Sequence, residues 1–390
     1  MFRMTRFMQL ITGGPSLAHP PVNVGQGPVV IWNLVRRCNL TCKHCYANAG
    51  DRDFANELTG SEVREVMDDL YAYGVRVLIL SGGEPLLRKD IFELSRHAKA
   101  LGFYVGLSSN GTLIDDAMAD TIADVGYDYV GISIDGSRET HDRFRRCVGS
   151  YDAALSGLRR CRDRGTKVGM RFTATPDNIH ELPLMLQLLD DERIGKFYYS
   201  HLNYAGRGNR NRGDVMRKRT RAAMHMLFDA CLQHLRRGAP KEFVTGNNDA
   251  DGVFLLHWVG RRFPEHAAAL RLRLERWGGN SSGVNIANID NLGNVHPDTM
   301  WWHYNLGNVR NRPFSAIWSD SSEGLLGALR SRPRPVSGRC AACAYLGICN
   351  GNTRVRAYQT TGDYWAEDPG CYLSDEEIAR NELALAGADA

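Results

Sequence analysis

Along residues 29–202, short apolar runs alternate with stretches whose apolar residues recur every three or four positions. The runs at 29–35 (VVIWNLV), 75–80, 103–108, 128–134, 168–174 and 197–202 are mostly rich in β-branched and aromatic residues. They predict strands buried on both faces. The stretches at 59–73, 90–101, 115–125, 150–164 and 181–190 predict helices. Thr59 with Glu62 opens the first as a capping box, and Gly74 closes it. Six such repeats predict parallel βα units, hence an open sheet or a full or partial α/β barrel. In these folds the chemistry gathers at the C-terminal ends of the strands.

The pattern changes after about residue 203. A Gly-, Asn- and Arg-rich loop (203–221) runs into helical stretches at 220–237 and 263–276. A Gly-Gly-Asn-Ser-Ser-Gly break at 278–283 precedes short strands and turns (284–310), and a polar helix is expected at 374–385. The first 28 residues carry Gly13, Gly14, Pro15, Pro20, Pro21, Gly25, Gly27 and Pro28, which predict an arm with little regular structure. The division expected is an arm (1–28), a βα core (29–225), a helical linker (226–280) and a smaller C-terminal unit (281–390).

A length of 390 residues is enough for two or three domains and for a real core. The charge balance of 48 basic against 44 acidic residues is too mild to imply nucleic-acid or membrane binding. No run reaches the roughly 18 apolar residues of a membrane span. Arg3 and Arg6 break any leader-like start, so a cytoplasmic protein is expected. The ten cysteines change the picture, because seven of them fall in two groups. In a cytosolic chain such grouping points to metal or redox chemistry rather than to disulfides. Cys147, Cys161 and Cys231 stand singly and are read as core or surface residues.

The first group, Cys38, Cys42 and Cys45, follows directly on the first predicted strand. Three thiolates this dense select iron–sulfur or zinc. Three ligands on a site that wants four leave one position open, as catalytic sites do. The bland alternative is a structural zinc site completed by His44. Cys-x3-Cys-x2-Cys followed by Tyr46 resembles the signature of radical S-adenosylmethionine (SAM) enzymes, and other strand ends agree with that resemblance. Gly82-Gly83-Glu84-Pro85 resembles the family's motif for the methionine amino group, with the carboxylate expected to accept from the ammonium. Ser109 and Asn110 end the third strand, Ser133 and Asp135 the fourth, and Arg171 lies on the fifth. The resemblance implies that these meet the ribose, methionine and carboxylate of SAM. It further implies a partial (β/α)6 TIM-like barrel, a SAM-binding 4Fe–4S cluster, and a 5′-deoxyadenosyl radical that takes hydrogen from a substrate carbon.

The second group is Cys340, Cys343, Cys349 and Cys371, which suffices for a closed four-coordinate site. Spacing alone leaves zinc and iron–sulfur open. Attached to such a core, it resembles the α+β SPASM or twitch extensions that hold auxiliary 4Fe–4S clusters. SPASM units usually carry earlier cysteines, but here the matching stretches read Gly279-Asn280-Ser281-Ser282-Gly283 and Val295-His296-Pro297-Asp298. One auxiliary cluster is therefore expected, with His296 or Asp298 free to meet substrate.

Residues 201–221 hold seven basic side chains against one acid, and Arg207, Arg210 and Arg212 are candidates to grip substrate carboxylates. Trp301, Trp302, His303 and Tyr304 offer either a flat wall or core. The arm leading into Pro28-Val-Val-Ile-Trp-Asn-Leu, the motif Arg37-Cys38-Asn-Leu-Thr-Cys42-Lys-His-Cys45-Tyr46-Ala47, and the Cys-x2-Cys-x5-Cys tail together resemble radical SAM proteins of tetrapyrrole biosynthesis, those of haem d1 synthesis above all. That resemblance implies loss of two propionate arms from the iron tetrapyrrole 12,18-didecarboxysirohaem. It also implies an external reductant such as flavodoxin or ferredoxin, and no nucleic-acid or membrane partner. Rival readings are a radical SAM decarboxylase of sirohaem-dependent haem synthesis and a peptide-modifying SPASM maturase. The maturase is disfavoured by an arm too short for a peptide-binding domain. A non-enzymatic reading would have both cysteine groups bind zinc.

Overall fold

A computed structural model of the chain describes residues 1–13, 27–210 and 217–379. Helix α1 (Met4–Thr12) is followed by β1 (Val29–Val35), α2 (Gly60–Tyr73), β2 (Val77–Gly82), α3 (Ile91–Leu101) and β3 (Tyr104–Ser109). Next come α4 (Asp116–Val125), β4 (Tyr129–Ser133), α5 (Arg138–Arg145), α6 (Ser150–Asp163), β5 (Val168–Ala174), α7 (Leu182–Asp191) and β6 (Lys196–His201). Then follow α8 (Gly206–Arg210), α9 (Arg217–Arg236), β7 (Glu242–Gly246), α10 (Ala250–Arg262) and α11 (Pro264–Trp277). Strands β8 (Ile286–Ile289), β9 (Asn294–His296) and β10 (Gly307–Asn308) precede a tail of short helices. Among the described residues, no helix is long and apolar enough to cross a membrane.

The strands form one sheet in the order β10-β9-β8-β1-β2-β3-β4-β5-β6-β7. From β8 to β7 all neighbours run parallel, and β9 and β10 add an antiparallel edge. This is the expected mixed α/β fold built on a parallel sheet, with every strand from β1 to β6 close to its predicted position. The capping box is also present: Glu62 N donates to Thr59 Oγ1, Thr59 N donates to Glu62, and Gly74 closes the helix in the left-handed region.

The sheet is longer than six repeats suggest. Residues 226–280, expected as a helical linker, contain β7, which pairs with β6 from Lys196↔Glu242 to Ser200↔Gly246. On the other side β8 pairs with β1 from Val29↔Ile286 to Trp32↔Ile289, so the C-terminal part adds strands to the same sheet. The main hydrophobic core among the described residues runs from Phe2 to Ile378.

The arm also differs from expectation, because its described part is the helix α1. Phe2 makes a two-hydrogen-bond bridge with Thr245 on the edge strand β7, and Thr5 Oγ1 accepts from Phe243 N. Phe2 and Phe7 stack 5.0 Å apart and pack against Trp277. An exposed edge strand invites pairing, and these contacts cover β7. The apolar spacing of Met4, Phe7, Met8 and Ile11 was the signal, diluted by Arg3 and Arg6. Residues 14–26 of the arm and 380–385 of the expected last helix lie outside the described residues.

Candidate active site at the strand ends

Because the strands are parallel, the loop after β1, the turn after β2 and the ends of β3 to β7 share one edge. Cys38 and Cys42 are buried there, with Cys45 partly buried and packed against them. Burial pushes the Cys38 thiol up to about 12, and the neighbouring Glu84, Cys42 and Cys45 add to the effect. Thiols that raise one another in this way are close together, and bound cationic iron relieves the strain of ionising them. Donors already face the sulfurs. Leu40 N donates to Cys38 Sγ at 3.4 Å, Ala49 N to Cys45 Sγ at 3.4 Å, and Arg145 Nη1 to Cys42 Sγ at 3.6 Å. The residues present therefore fit a thiolate-held cluster. His44 is stacked on Phe144 at 4.3 Å, and burial pushes its pKa down to about 3, so it is a packed neutral ring. Among the described residues, no group of three or more His, Cys, Asp or Glu forms a single-ion site.

The turn after β2 explains why two glycines are needed. A Cβ on Gly82 would lie 2.2 Å from Val35 O, and one on Gly83 2.2 Å from Arg37 O. Gly83 N and Glu84 N donate to those same carbonyls, at 2.6 and 2.9 Å. The glycines let this turn approach the chain entering the cysteine loop closely. Glu84, read as an ammonium acceptor, is fully buried and accepts from Leu86 N, Ser109 Oγ (2.9 Å) and Asn110 N (2.7 Å). Burial lifts its pKa to about 7. Its carboxylate thus ties the end of β3 to β2. Asn110 continues the chain of contacts, donating to Asn39 Oδ1 at 2.9 Å inside the cysteine loop.

Asp135 also departs from expectation. It is fully buried, its Oδ1 accepts from Thr173 N at 2.8 Å, and its Oδ2 pairs with Arg145 Nη2. Burial opposes its charge, but the Arg145 guanidinium holds it below the usual carboxylate range. Asp135 therefore aims Arg145 at Cys42 and is a positioning residue. Sequence reading missed Arg145 because α5 (RETHDRFR) is almost wholly polar and shows no apolar period. Ser133 and Arg171 remain as expected on adjacent strands in register, with Arg171 donating to Ser108 and lying 5.1 Å over the Tyr198 ring.

Part of the basic stretch is committed within the fold. Arg207, expected to grip substrate, donates to Cys42 O (2.7 Å) and Ala49 O (2.8 Å) and so braces the cysteine loop. Arg221 pairs with both oxygens of Glu377 at 2.8 Å. Arg212 and the side chain of Arg210 lie outside the described residues. His296 is no free contact either, since Nδ1 meets Tyr304 O at 2.6 Å and Nε2 meets Asp290 at 3.3 Å. Asp298 accepts from Ser282 and from Met300 N, and burial raises its pKa. Trp301 is fully buried and stacks on Tyr364 at 5.1 Å, as part of the tail's own core.

In the tail, Cys340, Cys343 and Cys371 lie near enough to Cys349 to act on it electrostatically. Burial, then Cys371, Cys343 and Cys340, push the Cys349 thiol well up. Tyr345 N donates to Cys343 Sγ at 3.4 Å, and Arg339 reaches Cys371. Four thiols with such donors fit a closed thiolate-held group. Cys147 is exposed, whereas Cys161 and Cys231 are buried. Between this tail and the strand ends lies a small cavity of about 80 Å3, lined by Tyr199, His201, Arg217, Thr220 and Tyr372 among others.

Known proteins agree with this architecture. Residues 32–189 match the radical SAM superfamily. The SAM-bound structure of Streptococcus suis SuiB superposes with a TM-score of 0.70 at 17% identity, over 89% of this chain and 78% of that one. The chain belongs to the radical SAM superfamily, enzymes that use SAM and a 4Fe–4S cluster. Within it, the chain is a member of the radical SAM haem synthase family. It is 52% identical to the pre-heme d1 synthase of Dinoroseobacter shibae over 97% of this chain and 93% of that protein. It is 44% identical to the Fe-coproporphyrin III synthase of Methanosarcina barkeri over 91% and 90%.

Proposed function

We propose that the chain removes the two propionate side chains of 12,18-didecarboxysirohaem on the route to haem d1. The observation that carries this reading is the end-to-end identity with a pre-heme d1 synthase. Arg217, in the lining of the small cavity at the strand ends, offers a guanidinium to a substrate carboxylate. Cys38, Cys42 and Cys45 hold the SAM-binding cluster, and Cys340, Cys343, Cys349 and Cys371 hold a single auxiliary 4Fe–4S cluster. The Gly82–Gly83 turn, Ser133 and Arg171 meet SAM. SAM, where bound, would supply a carbon-centred radical able to take hydrogen from a propionate carbon, while the protein's residues would bind and orient it. Flavodoxin or ferredoxin serves as reductant.

The rival with a specific observation behind it is decarboxylation of the side chains, favoured by the 44% identity to an Fe-coproporphyrin III synthase. Anaerobic reconstitution with 12,18-didecarboxysirohaem and SAM, followed by mass analysis, separates the two. Loss of whole propionate arms supports the proposal. Loss of carbon dioxide alone overturns it in favour of the rival, and an unchanged macrocycle overturns both.

A further inference from the structure

We infer that Arg356 is a positioning residue for the first cysteine group, an inference that rests on the reading of Cys38, Cys42 and Cys45 as holders of the SAM-binding cluster. Arg356 lies on the tail helix Arg354–Thr361, far from that loop in sequence. Its side chain is 2% exposed, and that of its partner Asp368 is fully buried. Nε and Nη2 donate to the two carboxylate oxygens at 2.6 and 2.8 Å. The remaining Nη1 crosses to the sheet, donating to Asn247 O at 3.0 Å and to Leu202 O at 3.3 Å. These carbonyls lie just past the ends of β7 and β6, so one guanidinium ties two strand ends to the tail. A buried ion pair is a costly way to fill a junction that apolar side chains could fill as well. What the planar fork adds is direction, because it meets a carboxylate and two carbonyls at fixed angles.

Each end of this connection reaches a cysteine group. On the tail side, the Asp368 carboxylate accepts from Thr353 N at 3.0 Å and from Gly370 N at 2.8 Å. The Asp368 carbonyl accepts from Cys371 N at 3.1 Å, and its own N–H faces the Cys340 sulfur. On the sheet side, Leu202 leads into α8, whose Arg207 donates to Cys42 O, Cys45 O and Ala49 O in the cysteine loop. A Cβ on Gly206 would lie 2.3 Å from Tyr46 O, so α8 begins in close backbone contact with that loop. One turn beyond Arg356, Gln359 Oε1 accepts from Asn209 Nδ2 at 2.9 Å. The tail helix thus grips α8 and its lead-in at two points, and α8 braces the loop. Arg221 also ties the tail down, but it joins Glu377 to α9 and lies off this path.

The test uses the full chain, first metal-free and then reconstituted anaerobically with iron and sulfide. Hydrogen exchange of the metal-free chain is compared for wild type, Arg356→Lys and Arg221→Lys. Arg356→Lys keeps a charge for Asp368 but loses the fork. It is expected to speed exchange in residues 203–210 and 38–50, whereas Arg221→Lys leaves both segments as in the wild type. In the reconstituted chain, Arg356→Lys is expected to keep wild-type iron and to bind SAM about 10-fold more weakly. The change that SAM causes in the low-temperature resonance of the reduced cluster reads that affinity. Should Arg356→Lys not fold, Gln359→Ala, which leaves the ion pair in place and removes the contact with Asn209, is expected to give the same pattern at smaller amplitude. Unchanged exchange in the cysteine loop or an unchanged SAM affinity overturns the inference, as does equal loosening of that loop in Arg221→Lys. A wild-type resonance that does not respond to SAM overturns the cluster reading itself.

Discussion

The two cysteine groups are built in opposite ways. The first lies on one loop after β1, and besides the local Leu40 N and Ala49 N it takes donors from far along the chain: Asn110 from the end of β3 and Arg145 from α5, the latter held by Asp135 after β4. The second spreads its cysteines over short helices and turns, beside nearby Tyr345 N and Arg339. Each matches its number of ligands. Three thiolates leave an open position that the surrounding sheet must keep shaped for a second molecule, whereas four close a site that needs only local support. The first site thus depends on distant parts of the sheet and its helices, and the second on its own tail.

The strongest way to break this comparison is to remove one ligand from each group. Cys42→Ala should abolish SAM cleavage, because two ligands cannot hold the cluster. Cys343→Ala should lose about half the iron while keeping part of the uncoupled SAM cleavage, as follows from the proposed one cluster per group. Iron analysis and 5′-deoxyadenosine release read both. Equal losses in the two variants would mean that the sites are not independent.

Arg145→Met sharpens the claim that distant elements hold the first site. It leaves Asp135 as a buried carboxylate without its cation and should cost about 3–5 kcal/mol in denaturant melts. Iron should fall at the first site only.

A smaller effect comes from Glu84. Its folded pKa of about 7 stands above the ordinary 4.5, so between those values the folded chain holds a proton that the unfolded chain has released. Stability of the metal-free chain should therefore fall as pH rises across that window, by up to about 3 kcal/mol. Comparing urea melts near pH 5 and near pH 8 for wild type and Glu84→Gln checks this, since the variant should lose that component of the slope. Smallest is Thr59→Ala, which removes the capping box for about 1 kcal/mol. It should leave iron at both sites unchanged and so serves as the baseline.

Much of this was legible beforehand because it is local. Strands β1 to β6 announce themselves by short runs of β-branched and aromatic residues, and the cap of α2 by Thr59, Glu62 and Gly74. The elements that were missed lack local signals. Strand β7 is five residues long, α5 is nearly all polar, and α1 was obscured by two arginines and a glycine- and proline-rich sequel. The basic stretch misled for a related reason. Composition counts charges, but Arg207 and Arg221 are committed to Cys42 O and Glu377, partners more than 150 positions away.

The sequence by itself determined the parallel βα order, the two cysteine groups and the class of chemistry, because strand period, capping and ligand spacing act over a few residues. Only the tertiary structure decided what Glu84, Asp135, Arg207 and His296 do, and that His201 meets Asp251 fifty positions later. A side chain's role depends on which partners take its donors and acceptors when it is buried. Those partners come from other strands and helices, brought together only when the sheet forms.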